Sequence, residues 1–130
     1  MLLTAVALIF FSTACDRTTK DGDWDDNIHL SVKTVNFNAN ADSVVVTTKG
    51  TWWWVSSVSV NGNYFNPTED IDLESDHYIF AKDCFVVERR DSKTLFIKAA
   101  ANTTGSIRTI GVQLEAGDYF DAVTVTQAAR

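Results

Sequence analysis

The sequence predicts an all-β fold, an immunoglobulin-like antiparallel β-sandwich of about seven strands. Three observations carry that reading. From Leu30 onward the chain is a series of short β-branched and aromatic runs with no sustained 3.6-residue periodicity. Turn residues separate the runs: Asn40-Ala41-Asp42, Lys49-Gly50, Asn61-Gly62-Asn63, Arg90-Asp91-Ser92, Thr104-Gly105 and Ala116-Gly117-Asp118. The single proline, Pro67, falls between runs, where it removes no ladder hydrogen bond.

Taken in order, the runs give the strands. Leu30, Val32, Val35 and Phe37 mark the first, with a slip of parity near Thr34. Val44, Val45 and Val46, followed by Thr47 and Thr48, form the second, and Trp52 to Val60 the third. Phe85-Val86-Val87 and Leu95-Phe96-Ile97 are the fourth and fifth. Ile107, Ile110, Val112 and Leu114 make the sixth; Phe120, Val123 and Val125 close the chain. The interval Asn61 to Asp83 is long for a connection inside a compact domain, and such intervals tend to be functional or mobile. It has room for an extra strand at Tyr78-Ile79-Phe80.

The N-terminus has a different character. Met1 to Ala14 carries no charge and is rich in Leu, Val, Ile and Phe; Ser12-Thr13-Ala14 then leads to Cys15. This resembles the leader and lipobox of a bacterial lipoprotein, in which the leader is cleaved and the cysteine acylated. The competing readings are a plain secretory signal or a buried apolar helix; the run is short for a bilayer span. The resemblance implies a leader over 1–14, a lipidated Cys15 opening an acidic flexible tether over 15–29, and a sandwich domain over 30–130. It places the protein outside the cytoplasm, on the outer membrane or cell surface, with the N-terminal lipid as its membrane contact. Asp21, Asp23, Asp25 and Asp26 also resemble the acidic surface-export stretch of Bacteroidetes lipoproteins, and read equally well as a solvated linker.

The formal net charge of −6 over 130 residues argues against nucleic acid as a partner, because like charge repels a phosphate backbone. With Cys15 acylated, Cys84 has no partner for a disulfide and reads as a small hydrophobe beside Phe85-Val86-Val87.

The last third carries an ordered set of short motifs: Phe85-Val86-Val87, Thr94-Leu95-Phe96-Ile97, Asn102-Thr103-Thr104-Gly105, Arg108, Ile110, Val112, Gly117 and Val123-Thr124-Val125-Thr126-Gln127. Upstream, Val44 to Thr48 precedes Trp52, Trp53 and Val55. Over Leu30 to Gln127 this resembles the BACON domain, the Bacteroidetes-associated carbohydrate-binding often N-terminal family. The chain departs from the pattern in a long Asn61–Asp83 interval and in having Phe85 where a second Trp is common. The resemblance implies an Ig-like fold and a family in which carbohydrate binding has been proposed and a spacer role is the alternative. Asn102, Arg108 and Gln127 read as structural, bonding free backbone carbonyls at strand ends.

The triplet Trp52-Trp53-Trp54 is the main functional lead. Successive strand side chains face opposite ways, so Trp52 and Trp54 share one face and Trp53 takes the other. If Trp53 and Val55 point inward, a bulge at Ser56-Ser57 is needed to bring the later valines into the core. Otherwise Trp52 and Trp54 are core and Trp53 is exposed. An exposed indole offers a flat apolar platform to the C–H face of a sugar, with Tyr64, Phe65, Asn63 and Asn66 as possible companions. The competing expectation is that the long loop folds over the outer indoles. Candidate carbohydrate-contact residues are therefore Trp52, Trp54 and Tyr64.

Other chemistry is thin. Asp70, Asp72, Glu74 and Asp76 alternate with apolar residues and would share one face of a strand, a solvated edge or a calcium site. His29 and His77 with a single unacylated cysteine give no zinc signature, and no nucleophile elbow or phosphate loop is present. No cofactor and no catalysis are expected. The sequence points to a non-catalytic envelope module contacting polysaccharide or mucin-type glycan. The alternative is a structural or interaction module for cell-surface proteins, without sugar affinity.

Overall fold

The computed structural model describes residues 25–130. The expectations for the leader, Cys15, Asp21 and Asp23 lie outside the described residues.

Among the described residues nine strands form two sheets. They are β1 (Thr34–Phe37), β2 (Asp42–Thr47), β3 (Trp54–Val60), β4 (Asn63–Phe65), β5 (Tyr78–Lys82), β6 (Phe85–Asp91), β7 (Thr94–Ala99), β8 (Arg108–Ala116) and β9 (Tyr119–Gln127). One sheet runs β1-β9-β8-β3-β4 and the other β2-β7-β6-β5. All pairings are antiparallel except β1 with β9. The fold is the all-β sandwich expected from the sequence. The two strands beyond the expected seven both lie in the interval 61–83. β5 falls where the extra strand was expected. β4 exists because Asn61-Gly62 takes positive φ at both positions, 49° and 82°, which turns the chain sharply back onto β3.

The core fills the space between the sheets. Val55 and Val58 of β3, Ile110, Val112 and Leu114 of β8, and Val123 and Val125 of β9 face Val46, Val87, Leu95 and Ile97 of the other sheet. Each such buried side chain contributes about 1.5–3 kcal/mol over leaving it in water. The register of β3 against β8 shifts between Val55 and Ser57. That bulge resolves the parity conflict in the triplet: one extra residue lets both Val55 and Val58 point inward.

The packed body begins before the expected domain start at residue 30. Ile28 is 0% exposed and belongs to the core. Asp26 is a cap there: its Oδ1 accepts from the backbone N–H groups of Ile28 (3.0 Å) and His29 (2.9 Å). The Ile28 carbonyl accepts from Lys49 and Gly50, each at 3.1 Å. Gly50 is obligatory in this arrangement, because a Cβ there would lie 2.1 Å from the Asn27 carbonyl oxygen. Gly50→Ala is expected to expel the 26–29 segment and cost roughly the burial of one isoleucine, about 2–3 kcal/mol. Thermal denaturation checks this, and an unchanged Tm would show that the segment adds nothing to stability.

At the opposite end from this segment, the three residues read as structural are all buried, Arg108 and Gln127 bonded to each other and Asn102 to carbonyls of its own. Gln127 Nε2 donates to the carbonyls of Asn40 (3.1 Å) and Ala100 (3.0 Å), while its Oε1 accepts from Arg108 Nε (3.1 Å) and Nη2 (2.7 Å). Arg108 Nη2 also donates to the Ala100 carbonyl. Asn102 Nδ2 donates to the carbonyls of Ser106 (2.7 Å) and Ala128 (3.0 Å). These side chains satisfy carbonyls that the ladders leave free where the strands end.

Candidate functional site

The triplet splits as its parity dictates. Trp53 points inward and is 1% exposed; Trp52 is 66% exposed and Trp54 half-buried. The Trp53 indole N–H is held by Thr48 Oγ1 (3.1 Å) and the Ser92 carbonyl (3.0 Å). Trp52 and Trp54 meet edge to face, with ring centroids 5.5 Å apart and planes at 72°. Such a pair is worth about 0.5–1.5 kcal/mol beyond its area, so the outer indoles brace one another. Trp52 also lies over the β8–β9 turn, where a Cβ on Gly117 would come within 3.3 Å of its ring.

Beside these rings opens a cavity of about 510 Å³, lined by Trp52, Trp53, Trp54, Leu73, Glu74, Asp76 and Arg89 among others. β4 pairs only with Val58 to Val60, so the edge of β3 at Trp54 is left to the 66–77 loop. That loop brings Leu73 against the core and sets Glu74 and Asp76 at the rim. It borders the indoles without covering Trp52.

Arg89 forms the floor and was not among the residues singled out from the sequence. It is 2% exposed, with its guanidinium carbon 4.2 Å from the centre of the Trp53 ring. Nη1 donates to the carbonyls of Trp53 (2.7 Å) and Ser75 (3.3 Å); Nη2 donates to those of Thr51 (2.8 Å) and Ser92 (3.4 Å). The Asp76 carboxylate is 4.0 Å away and well exposed, a weak ion pair. Arg89 is thus committed to the backbone around the triplet. The signal for it was in the sequence: Arg89 has the same strand parity as Phe85 and Val87, which are both buried.

Tyr64 does not join the Trp pair. It stands on β4 opposite Ser59, 71% exposed. Ser59 lies five positions along β3 from Trp54, roughly 15 Å at about 3.3 Å per residue once the bulge takes up part of the length. Its companions differ as well: Phe65 is half-buried and packs against Phe85, with centroids 6.0 Å apart.

The acidic segment 69–76 is not a strand. Asp72 Oδ1 accepts from the Glu74 N–H (3.0 Å), and turns close at Thr68–Ile71 and Asp72–Ser75. Short acidic and hydroxyl side chains that bond the local backbone favour turns over a ladder, and here they prevail over the alternation. Ile71 and Leu73 supply the apolar half of that pattern by packing on the core. Among the described residues no group of three or more His, Cys, Asp or Glu is placed to hold a metal. Cys84 is half-buried against the core.

No family model matches the chain, and no curated protein does. Among solved structures it is similar to an NMR structure of a protein from Bacteroides thetaiotaomicron. That pair has 22% identity and a TM-score of 0.67, covering 86% of this chain and 95% of the other. It is also similar to part of a GH5 xyloglucanase from Bacteroides ovatus solved in complex with a XXXG heptasaccharide. There the identity is 18% and the TM-score 0.48, over 79% of this chain and 18% of that one. At 22% identity the first likeness is one of fold.

Proposed function

We propose that this protein is a non-catalytic module of the BACON type that holds polysaccharide or host glycan against the Trp52–Trp54 ledge, tethered outside the cytoplasm through a lipidated Cys15. The observation that carries the reading is the braced, outward-facing indole pair over a cavity of about 510 Å³. An indole face suits the C–H face of a pyranose, and the carboxylates of Glu74 and Asp76 suit its hydroxyls, since charge-assisted bonds are the stronger kind. Arg89 is already bonded to four carbonyls and supplies little to a ligand.

The second reading, a module for cell-surface proteins, has one observation in its favour. Val45, Phe96, Glu88 and Ile79 lie in register across the outer face of the four-stranded sheet, and Val45 and Ile79 are exposed. Glu88 interrupts that row, and the Arg90 guanidinium lies 3.9 Å from the centre of the Phe96 ring, so it offers little continuous apolar area.

Affinity electrophoresis of the protein through gels containing plant, microbial or mucin glycans tests the choice. Retardation is expected, and Trp52→Ala/Trp54→Ala should remove at least about tenfold of the affinity, the scale of one or two well-packed aromatic contacts. Because Trp52 is exposed, the variant should stay folded by circular dichroism. No retardation in any gel would transfer the case to the protein-partner reading.

A further inference from the structure

The outer face of the five-stranded sheet carries a second feature, separate from the Trp cavity. A trough of about 240 Å³ runs beside Tyr64, floored by Ser57, Ser59, Gly111, Gln113 and Thr124. The register places these residues in adjacent rows: Tyr64, Ser59, Gly111 and Thr124 in one, Ser57 and Gln113 in the next. The row after that holds Trp54, Glu115 and Phe120. The indole of Trp54 therefore belongs both to the cavity and to the face on which the trough lies.

The trough is built. Gly111 puts no side chain on the floor, and a Cβ there would meet Ser59 Oγ at 2.7 Å, so that the hydroxyl would have to turn aside. The floor at the sheet centre stays low for that reason. The Ser57 hydroxyl donates to Gln113 Oε1 (3.1 Å) and the Ser56 hydroxyl to the Gln113 carbonyl (3.3 Å), which fix the Gln113 amide across the bulge. Its Nε2 and the Tyr64 hydroxyl make no hydrogen bond among the described residues. An outward sheet face of this kind, with an aromatic at either end and hydroxyl and amide groups between, suits an extended hydroxylated chain.

We propose that the Tyr64 trough is a second contact site and that, together with the Trp54 ledge, it receives one linear, uncharged glycan chain lying along β3. The proposal rests on the glycan reading above and narrows it. The distance from Trp54 to Tyr64, roughly 15 Å at strand spacing, is that of several sugar units in a row, so the site takes an internal stretch of polymer. Electrostatics select the class. No basic side chain lines the trough. Glu115 stands between Trp54 and Phe120, and Glu74 and Asp76 rim the cavity. The chain as a whole bears −6. A uronate, sialylated or sulfated glycan would bring its charge against these carboxylates, and among the described residues lining the trough no cation meets it.

The test compares neutral polysaccharides (glucomannan, galactomannan, mixed-linkage β-glucan) with polygalacturonate and hyaluronan, by affinity electrophoresis and calorimetry, beside disaccharides of the neutral polymers. Tyr64→Ala and Gln113→Ala are run next to Trp52→Ala/Trp54→Ala. The expected result is binding to a neutral polymer, with disaccharides weaker by tenfold or more. Each trough variant should lose about tenfold for the polymer and nothing for the disaccharide. Equal affinity for polymer and disaccharide, or full polymer binding by Tyr64→Ala and Gln113→Ala, would overturn the trough while leaving the Trp reading intact. Equal or tighter binding of the acidic polymers would overturn the selection by charge. Absence of binding to every polymer would overturn both readings together.

Discussion

Trp53→Ala is expected to destabilise the protein by about 3–5 kcal/mol, the usual cost of truncating a buried tryptophan in a core that relaxes only partly. For a domain of this size that lowers Tm by roughly 15–20 °C. Three contributions add up at this residue. Its rings fill the space between β3 and the other sheet and are 1% exposed. Its N–H satisfies both the Thr48 hydroxyl and the Ser92 carbonyl. Its face carries the Arg89 guanidinium at 4.2 Å. Trp53→Phe separates them, because it keeps most of the apolar body and loses the N–H. That variant should cost about 1–2 kcal/mol. Trp52→Ala, one residue away, should cost no more than about 1 kcal/mol, the scale of its edge-to-face contact with Trp54. Chemical denaturation of the three variants checks the ranking. A loss under about 1 kcal/mol for Trp53→Ala would mean the sandwich closes over the gap, and that Trp53 is not the element holding the cavity wall.

The contrast between Trp52 and Trp53 was legible in the sequence because strand parity forces neighbours to opposite faces. The bulge between Val55 and Ser57 was legible too, from the conflict between Trp53-Val55 and the later valines. Other features were hidden for identifiable reasons. Ile28 sits among acidic and amide residues, so composition argued for linker; what docks it is a capping carboxylate and the missing side chain at Gly50. β4 has three residues, too few for any periodicity, and only the Asn61-Gly62 turn announced it. The acidic stretch alternates as a strand does, yet its side chains bond their own backbone. Tyr64 was grouped with the Trp pair because it is near in sequence. The hairpin and the length of β3 carry it away, a distance that no local pattern encodes. Arg89 has inward parity, but its charge argues for solvent, and only its four carbonyl partners explain the choice.

Arg89→Met is therefore the second substitution expected to have a large effect. Methionine matches much of the volume and removes the cost of burying a cation, so any loss reports the hydrogen bonds and the stacking. The carbonyls of Thr51, Trp53 and Ser75 would lose the partner they have in Arg89. The Ser92 carbonyl would keep the Trp53 indole. Unsatisfied buried acceptors cost about 1–3 kcal/mol each where water cannot reach them. The cavity admits water to some of them, so a total near 3 kcal/mol is expected. Arg89→Lys should not rescue it, since one ammonium cannot reproduce a planar fork serving carbonyls on three segments. In a double-mutant cycle with Trp53→Leu, which removes the aromatic face, the two losses should fall short of additive by about 2 kcal/mol, the size of a desolvated cation–π contact. The variant also separates fold from site. Arg89 is what fastens Ser75, and with it the loop that presents Glu74 and Asp76 to the cavity. Folded Arg89→Met should show faster amide exchange across 71–77 and weaker glycan retention, though the substituted side chain gives the ligand no direct contact. Unchanged exchange in that loop would mean that Leu73, packed on the core, holds the rim without help from the arginine.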